Sequence, residues 1–274
     1  MQHRMLLRPL AIVAIVALPA CDLGDGSYAE MRMAVDESIA TGEAASLEEG
    51  VIEITTDFTI GQGLQDVAGH IRGLVESQIP CSTVESPAAN TLVIDFGETG
   101  DTCVHKSRTY GGKVTLSYEV DGDSVVVQHG YDGLTNGRVT IDGDATVTWS
   151  PADSGGVSRH IVSSFDLSGP RGDFRSEADR TQTFSDPGSG VFAVEGDRDW
   201  SGPRGDGSAT WEATIDIDFA VPIDGSAEVH TSNGSTFELS FEQIDDDTVE
   251  IRVTGGRRDR VFHVTSSGIV QDEG

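Results

Sequence analysis

The side chains able to do chemistry in this chain are its cysteines, its histidines and its carboxylates. Cysteines stand at positions 21, 81 and 103. Cys103-Val104-His105 with Cys81 would give a metal three ligands, but a structural zinc takes four and no paired Cys-x-x-Cys accompanies them. Beyond the N-terminal segment, the histidines are His70, His105, His129, His160, His230 and His263, scattered singly along the chain. His129 and His263 fall in strand-like runs, where a structural imidazole is the expectation. No GxSxG elbow, HExxH, glycine-rich phosphate loop or DxDxDG calcium loop occurs, so no catalytic residues are assigned. Hard oxygen ligands do cluster at Asp245-Asp246-Asp247, at Asp-Gly-Asp turns and at Asp197 and Asp199. Calcium would accept them, although aspartate also favours turns and strand ends. No other cofactor is implied. A carboxylate pair for hydrolysis is conceivable, but among 46 acids proximity of two carries little weight.

The hexapeptide SGPRGD occurs twice, at Ser168–Asp173 and Ser201–Asp206. Each copy contains Arg-Gly-Asp, which would be an adhesion signal on an exposed loop. Each also places proline second and glycine fourth in a Gly-Pro-Arg-Gly turn, their favoured type I positions. A pair of hairpin tips is therefore expected.

Acids outnumber bases by 46 to 18, a net charge of −28. Such a surface repels nucleic acid and anionic headgroups, so neither is an expected partner. It suits a soluble domain held away from a bilayer.

The N-terminus begins with Arg4 and Arg8, followed by an apolar run from Leu10 to Leu18. That run is too short to cross a bilayer and has the form of a secretory signal. It ends in Leu18-Pro19-Ala20-Cys21, which resembles the lipobox of bacterial lipoproteins. The resemblance implies removal of residues 1–20, acylation of Cys21 and a polar tether over residues 21–27. It also implies a bacterial cell envelope location, anchored in a membrane and facing the periplasm or exterior. With Cys21 acylated and the domain exported to an oxidising compartment, Cys81 and Cys103 are expected to form a disulfide.

The elements that must position these groups change character along the chain. Tyr28, Met31, Val35 and Ile39 fall at helical spacing, and Gly42 ends the pattern. A second helix is expected from Ile60, Leu64, Val67, Ile71 and Val75, stopped by Pro80. From Thr91 onward the period becomes two. Val114, Leu116, Tyr118 and Val120 alternate with polar residues, as do Phe237, Leu239 and Phe241, and Val249, Ile251 and Val253. One longer run extends from Trp211 through Ile215 and Phe219 to Val221. Such alternation is antiparallel sheet with one dry and one wet face. Asp121-Gly122, Asn136-Gly137, Asp142-Gly143, Asp224-Gly225 and Asn233-Gly234 are expected at hairpin turns, and Val194-Glu195-Gly196-Asp197 repeats the same unit.

The segment Thr91–Tyr118, with Ile94-Asp95-Phe96-Gly97 preceding Cys103, is similar to uncharacterised β-rich envelope lipoproteins, a likeness that carries no activity with it. The expected fold is mainly β: a large antiparallel, hairpin-rich sheet, sandwiched or curved, over residues 28–274, with one or two N-terminal helices packed on it. The expected function is non-catalytic binding or scaffolding of an envelope or extracellular partner. The alternatives are an extracytoplasmic hydrolase using a carboxylate pair and a carrier of lipid or a small ligand.

Overall fold

The computed structural model describes residues 26–55, 64–98, 103–105, 108–151, 157–184 and 190–272. The lipobox, Cys21 and most of the expected tether lie outside these residues. The first helix starts at a sequence-encoded cap. Ser27-Tyr28-Ala29-Glu30 forms a capping box, in which Ser27 Oγ accepts from the Glu30 amide and the Glu30 carboxylate accepts from the Ser27 amide at 2.5 Å. From there α1 runs Tyr28–Ile54, 27 residues and so about 40 Å long.

The expectation that Gly42 ends this helix is corrected. Gly42 sits in mid-helix, where an added methyl would overlap the Ala220 carbonyl oxygen; the glycine admits a close backbone approach. The second helix, α2, spans Leu64–Gln78 and buries Val67, Ile71 and Val75, with Ile79 following it. The expected contribution of Ile60 lies outside the described residues.

The remainder is one sheet. Its strands are β1 (Thr83–Ala88), β2 (Thr91–Asp95), β3 (Cys103–His105), β4 (Arg108–Asp121), β5 (Ser124–Thr135), β6 (Thr140–Pro151), β7 (Val157–Ser168) and β8 (Phe174–Phe184). They continue as β9 (Val191–Gly202), β10 (Gly205–Asp216), β11 (Asp224–His230), β12 (Thr236–Asp245), β13 (Thr248–Thr254), β14 (Arg260–Thr265) and β15 (Val270–Asp272). Each strand pairs antiparallel with the next in a continuous meander, except that β2 pairs with β4 and the short β3 adds separately to β4. The sheet is not closed: among the described residues β1 and β15 have no mutual pairing.

Burial shows how helix and sheet fit together. No residue from Glu30 to Thr55 is exposed, and Leu47 to Ile52 are buried without interruption. Six consecutive helical residues point in every direction, so the C-terminal half of α1 is enclosed by the sheet together with α2 and is not merely touched on one side. The sheet is therefore curved and single, with α1 along its concave face. Two apolar clusters fill the space. One joins the C-terminal half of α1 and α2 to the strands through β10; the other joins the N-terminal half of α1 to the strands from β9 onward.

Sheet curvature has a sequence cause that the turn reading missed. Gly122, Gly137 and Gly234 occupy tight turns with positive φ, as expected. Gly143 and Gly196 instead lie inside β6 and β9, at φ 151° and 154°. A methyl at either would strike the main chain of the neighbouring strand, at Ser164–Phe165 and at Asp179–Arg180 respectively. Gly225, at the start of β11, meets Glu212–Ala213 in the same way. These glycines let adjacent strands close up and the sheet coil. The expected run through Val221 also ends early. Asp216 accepts from the Asp218 amide at 2.9 Å, an Asx turn that takes Ile217 onward out of the ladder.

Candidate functional site

The most densely charged region of the interior lies where α1 crosses the middle strands. On β7, Arg159 shares the inward face with Ile161, Phe165 and Leu167. On β8 the inward set is Ser176, Ala178, Arg180, Gln182 and Phe184; on β9 it includes Val194, Arg198 and Trp200. Period-two alternation thus carries three arginines into the core beside apolar neighbours. Two acids descend from α1 to meet them. Arg180 donates to Glu48 at 2.7 Å and to Glu49 at 2.8 Å, Gln182 donates to Glu49 at 2.6 Å, and Arg159 donates to both Glu49 and Gln182.

Burial alone would raise the Glu49 carboxyl, but the charges of Arg159 and Arg180 outweigh it and hold Glu49 below the usual carboxylate range. Arg159 also lies over the rings of Trp149, Phe184 and Phe192, with its guanidinium carbon 4.6 Å from the Phe184 centroid. His129, on β5, is buried next to the cluster and bonds Thr55 Oγ1 through Nε2 at 2.9 Å. Burial pulls its pKa down to about 3, so it is neutral at physiological pH. The chemistry available here is fixed charge neutralisation: each carboxylate is already engaged by guanidinium groups beneath α1.

The repeated hexapeptides both form hairpin tips, between β7 and β8 and between β9 and β10, and they stand side by side because β8 pairs with β9. The first closes with the Gly172 amide donating to the Gly169 carbonyl at 3.0 Å. Its arginine turns back onto the body of the protein: Arg171 donates to Glu43 at 3.0 Å and to the Gly268 carbonyl at 2.8 Å. Arg204 of the second copy donates to the Arg171 carbonyl. The tips and α1 border a pocket of about 300 Å³, lined by both polar and apolar groups, that includes Glu37, Trp200 and Ser232. Ser232 donates to Glu37 through its amide at 3.2 Å and through its hydroxyl. The repeat is a docking device for two tips.

The other residues singled out in the sequence are dispersed. Cys81 and Cys103 are bonded, their Cα atoms 5.5 Å apart, which leaves neither thiolate for a metal. His160 faces outward and bonds Asp179 at 2.6 Å, and His230 is exposed beside Thr236 at 2.7 Å. Asp197 and Asp199 lie on the outer face of β9. Asp245 caps its own turn by accepting from the Asp247 amide at 2.9 Å, while Asp247 accepts from Ser266. Among the described residues no group of three or more His, Cys, Asp or Glu side chains converges as metal ligands.

Sequence reasoning missed Glu48, Glu49, Arg159, Arg180, Gln182 and Arg198. The available signal was an arginine at an inward position of a period-two run, as in Arg159-His160-Ile161. The acids of α1 gave no such signal, because their partners are more than a hundred residues away.

No family model, curated protein or solved structure matches the chain.

Proposed function

We propose that this protein is a lipid-anchored component of the bacterial cell envelope, tethered through Cys21, that binds or scaffolds an extracytoplasmic partner without catalysing a reaction. The anchor reading rests on Leu18-Pro19-Ala20-Cys21, and the Cys81–Cys103 bond is consistent with an oxidising compartment. The interior supports a non-catalytic role, since the buried acids Glu48 and Glu49 are both held by arginine beneath a helix.

The observation that carries the reading is the alignment of like charges on the outer face. Asp179 stands directly opposite Asp197, and Glu177 opposite Asp199. Glu195 faces Glu212, Glu228 faces Glu238, and Glu242 faces both Asp224 and Glu250. Like charges directly opposed on a sheet destabilise it by tenths of a kcal/mol each. A cationic partner laid across these strands would relieve that repulsion.

The test is retention from intact envelopes on the mature chain bearing Cys21→Ser, with and without calcium. A discrete partner should be retained, released by salt, and lost from a variant carrying Asp179→Asn, Asp197→Asn, Glu195→Gln and Glu212→Gln. Mass spectrometry of the native N-terminus should find acyl chains on Cys21. Hydrolase activity that disappears in Glu49→Gln would overturn the non-catalytic reading.

A further inference from the structure

The bases of this chain are unevenly placed on the sheet. From β4 onward the strands form a meander, so alternate connections fall at the same end of the strands. At one end the connections β5–β6, β7–β8, β9–β10 and β13–β14 carry Arg138, Arg171, Arg204, Arg257 and Arg258. At the other end, among the described residues, they carry Asp123, Asp218, Asp246 and Asp247 and no base. Arg138 and Arg171 are paired with Glu43, and Arg204 donates to the Arg171 carbonyl. Arg257 and Arg258, at the β13–β14 tip, are exposed. With Arg260 they place three bases in four residues, a density found nowhere else in the chain.

Gly26, where the described residues begin, adjoins this tip. It bridges Gly256 in parallel β fashion, and a methyl on Gly256 would stand 2.8 Å from the Gly26 carbonyl oxygen. Tyr28 then packs near Phe262 with ring centroids 6.0 Å apart, and the Arg260 guanidinium lies over the Tyr28 ring at 5.6 Å. Tyr28 is itself exposed, an aromatic of the kind that settles where water meets lipid. Cys21 precedes Gly26 by five residues, and five residues extend at most about 18 Å. The headgroups around an acylated Cys21 are therefore within that distance of Gly26, whatever path the linking residues take.

We propose that the β13–β14 tip seats on the anionic phospholipid surface that holds Cys21, with Arg257 and Arg258 on lipid phosphates and Tyr28 beside them, and so fixes how the domain stands on the membrane. This rests on Cys21 being the anchor. The guanidinium fork matches phosphate oxygens in geometry as well as charge. The chain as a whole repels such a surface, and that repulsion favours the orientation in which the basic tip faces it. Against the bases stand Asp259 within the tip and Asp22 and Asp25 before Gly26. Glu30 is engaged by Ser27, Asn233 and Ser235.

The mature chain, with Cys81 and Cys103 bonded, keeps Cys21 as its one remaining thiol and can be coupled through it to a maleimide lipid in vesicles. Amide hydrogen exchange across Gly255–Val261 should slow about twentyfold on vesicles containing phosphatidylglycerol. On phosphatidylcholine alone it should stay unchanged. Arg257→Gln and Arg258→Gln alter exposed side chains and leave the core intact; each should take about fivefold from the protection, and the pair should remove it. Salt at about 0.5 M should remove it as well. Asp22→Asn with Asp25→Asn should deepen it. Equal exchange on the two lipids, protection that survives the double arginine variant, or protection centred on Asp245–Asp247 would each overturn the proposal. Because the maleimide supplies the link, such a failure leaves the anchor reading standing, and mass spectrometry of native Cys21 decides that reading separately.

Discussion

Glu49 and His129 are buried within the same few residues of space and respond to acid in ways that can be told apart. Glu49 is the hub between Arg159, Arg180 and Gln182. Replacing it with glutamine takes the carboxylate from Arg159 and leaves Arg180 with Glu48 alone, and urea unfolding should show a loss of about 3–5 kcal/mol. Because the folded protein holds the Glu49 pKa below 4.5, its contribution is complete above that pH and is lost as pH falls through the lower, folded value. His129 acts at higher pH. Its pKa drops from 6.5 to about 3 on folding, so the unfolded chain takes up the proton first. Stability due to His129 is whole above pH 6.5 and declines as pH falls toward 3. The loss is on the order of 5 kcal/mol across that window. Glu37, raised by burial, slopes the opposite way and loses stability as pH rises through its folded value. Between pH 6.5 and 4.5 the unfolding free energy of His129→Gln should lose the downward slope of the native chain, leaving only the opposite slope of Glu37. A native slope retained in that variant would place the titrating group elsewhere.

The helix α1 is an element whose stability comes from its surroundings. Its acids would solvate a surface helix, yet Glu43, Glu48 and Glu49 are all buried and met by Arg159 and Arg180 from the strands and by Arg138 and Arg171 from the connections between strands. Glycines on the two helices separate packing from propensity. Gly69 and Gly73 on α2 are exposed with open space around them, so alanine at either should stabilise by about 0.5–1 kcal/mol. Gly42→Ala gains the same propensity but drives a methyl into the Ala220 carbonyl, and thermal unfolding should show a net loss of about 2 kcal/mol or more. The strand-interior glycines follow the same logic. Gly143 shares the Asp-Gly dipeptide of the true turn glycine Gly122, and Gly196 likewise lies between an acid and an aspartate; the close main chain of a neighbouring strand distinguishes both from Gly122.

At the scale of the whole molecule, charge and topology set the terms. The net charge of −28 and the opposed carboxylates of the outer face repel one another. Raising salt from about 0.05 to about 0.5 M should therefore stabilise the fold by on the order of 1 kcal/mol through screening. A flat or falling dependence would show that buried pairs dominate. Reducing Cys81–Cys103, which closes a span of 22 residues, should cost about 3 kcal/mol in the chain-entropy account. Much of the fold was legible because alternation is local. Val249, Ile251 and Val253, or Phe237, Leu239 and Phe241, reveal which face is dry from their own spacing. The tips formed by SGPRGD were legible for the same reason. The extent of α1 was not, because Gly42 and the acids beyond it make sense only against Ala220 and the sheet arginines. Sequence by itself determined the periodicity and the turns at Gly122, Gly137 and Gly234, since these are set by neighbours in the chain, and the cysteine pair, since only Cys81 and Cys103 remained beside Cys21. Tertiary structure alone decided that the sheet stays open and curves over a helix, and that Glu48 and Glu49 meet Arg159 and Arg180 while Arg198 reaches the Thr41 carbonyl. Those outcomes depend on charges and volumes brought together across more than a hundred residues, a distance over which local pattern carries no information.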